Sequence, residues 1–169
     1  MKNFNNLSKL FLLIFASVSI PASCDLGIDP AKYNDEVLMY YTMLDNQVSY
    51  FFEDIYDDNV SIEQLNQQYN KHKKFHKAYT AKLKKIKPIK KDKWFYKSVV
   101  EYYETVEKVL LNELSNVMYF YSLTWETEDQ YNNQIHTQLD KALEIIIAAE
   151  DNVIDSQKTF ANEVGLQLI

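Results

Sequence analysis

The sequence predicts an all-α protein, an antiparallel up-down-up-down four-helix bundle, and three observations carry that expectation. Glycine and proline number only 2 and 3 in 169 residues, which suits long helices better than a sheet with many turns. Apolar residues recur at steps of three and four through four stretches of the chain. Those amphipathic stretches, each roughly 25 to 35 residues, are joined by connections of a few residues, so consecutive helices must pack as antiparallel neighbours. A three-helix bundle with the first helix splayed, or a dimer that shares helices, would satisfy the same pattern.

The first helix starts at Asp29-Pro30, an N-cap oxygen before a proline at the first helical position, and runs to about Tyr56. Tyr33, Val37, Tyr40, Leu44, Val48, Phe51 and Ile55 form its inner stripe, and Asp57-Asp58-Asn59 breaks it. The second start is marked by Ser61 and Gln64 as a capping box, with Val60 and Leu65 placed as a hydrophobic staple. Leu65, Tyr69, His72, His76, Tyr79, Leu83 and Ile86 face inward, and Pro88 ends that helix. Asp92 caps the third helix, whose stripe of Phe95, Val99, Tyr102, Val106, Val109 or Leu110, Leu114, Val117 and Tyr121 fades near Trp125. Thr127 and Gln130 open the fourth, with Tyr131, Ile135, Leu139, Ala142, Ile146, Ala149, Val153 and Phe160 inward and Gly165 as C-cap. Paired and tripled aromatics such as Tyr40-Tyr41, Tyr50-Phe51-Phe52, Trp94-Phe95-Tyr96 and Tyr119-Phe120-Tyr121 point about 100° apart, so some of these rings must lie at the core boundary or in an interface.

Before the helices comes a different kind of segment. Lys2 and Lys9 flank an apolar run, Leu10 to Ile20, that ends in Pro21-Ala22-Ser23-Cys24. This is the layout of a secretory signal peptide, with a basic start, an apolar middle and small residues at a cut site. Its eleven residues are too few to cross a hydrocarbon core, which takes about 20. The chain therefore divides into a signal peptide at 1–23, a tether at 24–29 and one bundle at 30–169.

Ala22-Ser23-Cys24 resembles the end of a bacterial lipobox, although Pro21 stands where that motif usually carries leucine. The resemblance covers the first 24 residues and implies a cysteine lipidated on its thiol that becomes the mature N-terminus. Lipidation would also account for an unpaired cysteine in an exported chain. Ordinary signal cleavage nearby is the competing reading and leaves Cys24 as a free thiol or removes it. Cys24 together with Tyr33-Asn34-Asp35 is similar to helical surface lipoproteins of Gram-negative bacteria, a likeness that implies no function.

Charge is strongly segregated. From Lys71 to Lys97 there are twelve lysines against one acid, Asp92, whereas the rest of the chain after Ser23 has four lysines against 23 acids. Up-down topology places the connection between the second and third helices at the anchored end. That connection holds Lys84, Lys85, Lys87, Lys90, Lys91 and Lys93, with Trp94 beside them, and these seven residues are the candidate anionic-surface site. The distal turns are acidic instead, with Glu53, Asp54, Asp57, Asp58, Glu126, Glu128 and Asp129. The plain alternative is that the lysines are solvated helix faces paired with the acids of the first and fourth helices.

Other chemistries are poorly served. His72 and His76 share a helix face at metal-ligand spacing, but no Glu follows either histidine and lysines surround them, so neither a metal site nor a cofactor is expected. The acids from Glu53 to Asp58 lack the alternating ligands and glycine of a calcium loop. No serine sits in a glycine elbow, and the absence of arginine removes bidentate phosphate grips. Export and net acidity exclude nucleic acid as a partner.

The expected function is therefore binding or interaction in the bacterial envelope without catalysis. The chain would be membrane-anchored through its lipid on the periplasmic side or at the cell surface. Its partners would be an envelope protein or an anionic glycan, with a homodimer as a further arrangement. The alternative is a carrier for a small apolar ligand in a tyrosine-lined cavity.

Overall fold

The computed structural model describes residues 28–57 and 59–168, and these are all-helical, without a strand among them. The expected signal peptide at 1–23, Cys24 with the tether as far as residue 27, and Asp58 lie outside the described residues. Five helices follow in order: α1 Pro30–Tyr56, α2 Ile62–Leu83, α3 Phe95–Leu111, α4 Glu113–Tyr121 and α5 Glu128–Val164. No described helix is long and apolar enough to cross a membrane.

Local chemistry sets the boundaries. Asp29 accepts the N–H of Ala31 at 3.0 Å ahead of Pro30, and Ser61 and Gln64 complete the reciprocal capping box at 3.2 and 2.8 Å. Thr127 accepts the N–H of Gln130 at 3.2 Å. Gly165 closes α5 with φ 75°, a left-handed conformation that costs a residue without a side chain little.

Two expectations about the extent of the helices are corrected. α2 ends at Leu83, so Ile86 is in the connection, half-buried against the core. The third rod is two helices meeting at Asn112, which has φ −111° and ψ −81°. The break lies in these dihedrals and not in the hydrogen bonding. The Asn112 N–H still reaches the Lys108 carbonyl at 3.0 Å, and its own carbonyl takes the Asn116 N–H at 2.9 Å.

The core is one cluster drawn from all five helices, rich in Tyr33, Tyr41, Phe51, Phe52, Tyr102 and Tyr103. Tyr41 rather than Tyr40 occupies the inner position of α1, and Tyr40 is half-buried with its ring 6.3 Å from that of Tyr79. Contacts between rods run in opposed order. On α1 and α5, Tyr33 meets Phe160, Tyr41 meets Glu150 and Tyr56 meets His136. On α2 and the third rod, Tyr69 bonds Leu110, His76 bonds Tyr103 and Leu83 accepts from Tyr96.

Candidate functional site

The connection from Lys84 to Trp94 is irregular but held in place. Ile86 and Ile89 are half-buried against the core, while Lys84, Lys85, Lys87, Lys90, Lys91 and Lys93 between and around them are exposed. Asp92 fixes the far end. Its carboxylate accepts the N–H groups of Trp94, Phe95 and Tyr96 at 3.0, 2.8 and 2.9 Å, and also the Tyr33 hydroxyl. Asp92 therefore does cap α3, though from two residues before the position that directly precedes the helix. The same carboxylate ties the start of α1 to the basic connection, and burial first, then Asp92, raises the Tyr33 hydroxyl well above its ordinary range.

Two of the six lysines have acidic partners, Lys84 with Glu104 of α3 at 3.4 Å and Lys93 with Glu163 of α5 at 3.2 Å. Lys85, Lys87, Lys90 and Lys91 have none within 4 Å among the described residues. Pairing with α1 and α5 therefore covers Lys93 alone. Trp94 is 57% exposed, with the Lys97 ammonium 5.7 Å from its ring centre. The end thus presents four ammonium groups without an acidic partner among the described residues, and an exposed indole, where the chain enters from residue 28.

A second constellation was not anticipated. Glu150 and Asp45 sit between α1, α3 and α5, each accepting a tyrosine hydroxyl: Tyr41 to Glu150 at 2.9 Å and Tyr102 to Asp45 at 3.0 Å. The two tyrosine rings meet edge to face at 5.2 Å. Burial, with Asp45 nearby, pushes the Glu150 carboxyl up to about 7 against the opposing pull of the Tyr41 hydrogen bond. Burial raises Asp45 as well, and the Tyr102 hydrogen bond resists it. The stripe of α5 contained the clue, since Glu150 stands four residues after Ile146 and three before Val153. Nothing in α1 alone marks Asp45 as its neighbour.

Two of the three histidines, His72 and His76, are buried. His76 donates from Nε2 to the Tyr103 carbonyl at 2.7 Å, and burial lowers its pKa. His72 lies against Phe51 at 4.8 Å, and burial, then Lys71, pushes it down to about 4. His136 is exposed, its ring 6.3 Å from that of Tyr56. Among the described residues no three His, Cys, Asp or Glu side chains converge on a metal position. A core cavity of about 10 Å³, lined by Leu44, Val48, Phe51, His72 and Phe75 among others, has room for about one water and no tyrosine in its wall. No protein-family model, curated protein or solved structure matches the chain.

Proposed function

We propose that the chain is an exported protein of the bacterial envelope, held at a membrane by lipid on Cys24, that acts in binding or interaction and carries out no catalysis. Its rods form an antiparallel up-down-up-down bundle standing with the basic end toward the membrane. The observation that carries this reading is the juxtaposition at one end of the entering chain, four lysines without an acidic partner among the described residues, and the exposed Trp94. Asp29 is five residues from Cys24, and an extended chain of that length reaches at most about 18 Å, so a lipid on Cys24 would keep the lysines within reach of headgroups. Each lysine near an anionic surface contributes about 1 kcal/mol before screening, and an indole suits the interfacial zone. Opposed contact order between the rods supports the topology. The small cavity weighs for interaction over carriage of an organic ligand, since ligand pockets run to about 300 Å³ or more.

Mass spectrometry of the mature N-terminus, combined with protease treatment of intact cells, tests the reading. An acylated Cys24 with no residue before it is the expected result, and cleavage in whole cells would distinguish the outer surface from the periplasmic side. A retained Met1 or an unacylated thiol would overturn it.

A further inference from the structure

The end opposite the lysines carries an aromatic surface of its own. α4 and the turn into α5 link five rings in a chain of contacts. Tyr119 lies 6.0 Å from Phe120, Phe120 5.7 Å from Trp125, Trp125 6.1 Å from Tyr131 and Tyr131 5.9 Å from Tyr121. Trp125 is pinned by its Nε1, which donates to the Phe120 carbonyl at 3.0 Å. Tyr119 is 59% exposed and Leu123 38%, while Phe120, Trp125 and Tyr131 are each half-buried. These rings hold one another and still present an apolar surface to solvent.

Charges around the patch are of one sign. Glu126, Glu128 and Asp129 are exposed in the turn and at the start of α5. No lysine occurs from 33 to 70 or from 109 to 140, the stretches that reach this end. The nearest lysine along α5, Lys141, is engaged by the buried Glu113 carboxylate at 2.9 Å. Elsewhere lysines already lie over rings, Lys73 over Tyr69 at 4.2 Å, Lys82 over Tyr79 at 4.5 Å and Lys97 over Trp94. Among the described residues no cation occupies the rings of this patch. Both the carboxylates and the ring faces attract cations, the first by charge and the second by the negative potential of the π-face, and the described residues supply none over these rings.

We propose that the patch formed by Tyr119, Phe120, Leu123, Trp125 and Tyr131 docks a lysine- or arginine-bearing protein segment with apolar side chains between its charges. This rests on the interaction reading above and is independent of the anchor. The apolar residues of the segment would cover Tyr119 and Leu123 while its cations meet Glu126, Glu128 and Asp129.

The test uses the full chain with Trp94→Phe, so that Trp125 is the only indole. The probe is a peptide of alternating lysine and leucine, with alternating glutamate and leucine as its control. The lysine peptide is expected to change Trp125 emission and the glutamate peptide to leave it unaltered. Neutralising Glu126→Gln, Glu128→Gln and Asp129→Asn together should weaken binding about ten-fold. The same net change made at Asp35→Asn, Glu36→Gln and Glu144→Gln should leave binding nearly unaltered.

Equal weakening by both triple variants would overturn the proposal in favour of unspecific attraction. So would a response confined to Trp94 in a Trp125→Phe chain. Sedimentation showing that the chain alone assembles through this patch, with the peptide merely dissolving the assembly, would overturn it in favour of a second copy as occupant. An unmodified Cys24 would end the anchor and leave this outcome untouched.

Discussion

Glu150 takes a place on α5 that the apolar stripe reserves for a core residue, and its burial makes it a liability above neutrality. Its carboxyl is raised from the ordinary 4.5 to about 7, so below pH 4.5 it is neutral in both folded and unfolded chains and costs nothing. Between 4.5 and 7 the unfolded chain gives up its proton first, and the folded state loses stability as pH rises. Above 7 the loss is complete and constant. Glu150→Gln, which keeps an acceptor for Tyr41, should therefore stabilise the fold on the order of 2 kcal/mol at pH 8 and hardly at all at pH 4, as read by urea denaturation at the two pH values. A destabilised variant at pH 8 would mean that the carboxylate is better satisfied than its surroundings indicate. Tyr102 is visible in the sequence as a member of its helix's stripe, and Tyr41 as an aromatic beside one. Their pairing with Glu150 and Asp45 spans up to 109 residues and follows only from packing.

Caps and breaks belong to the element. Ser61→Ala removes the acceptor of the Gln64 N–H, one of the two reciprocal bonds at the start of α2, and should cost about 1 kcal/mol. Asp92→Ala removes acceptors for three backbone N–H groups and for Tyr33, and should cost about 2 to 3 kcal/mol. The two differ in reach. Hydrogen exchange should rise only in the first turn of α2 for Ser61→Ala, but both at Trp94–Tyr96 and at the start of α1 for Asp92→Ala. No change at α1 would mean that the Tyr33 contact carries no stability. Most boundaries were legible because proline, serine, threonine and glycine act on the residues beside them. The break at Asn112 was not, since it involves neither glycine nor proline and the apolar stripe passes from Leu110 to Leu114 without a missed step. The aromatic runs were legible only as a conflict, and packing resolved it by burying Phe51 and Phe52 while exposing Tyr50.

Charge segregation is a property of the whole molecule, legible from the sequence because it needs only the lysine positions and the order of the helices. Which lysines are neutralised internally was not legible, for Lys84 and Lys93 find partners 20 and 70 residues away. Replacing Lys85, Lys87, Lys90 and Lys91 with glutamine in a Cys24→Ser chain should weaken binding to vesicles containing anionic lipid on the order of 100-fold or more, at about 1 kcal/mol per lysine. Thermal stability should hardly move, because these four pair with no described acid. Failure of the parent Cys24→Ser chain to bind such vesicles at low salt would refute the base-down orientation. The two poles also make the protein an electric dipole, so its net charge of −6 misstates what a neighbouring object meets. A sulfonate chromatography bead would hold it by the lysine pole despite repelling its overall sign, and a quaternary-amine bead would hold the same molecules upside down.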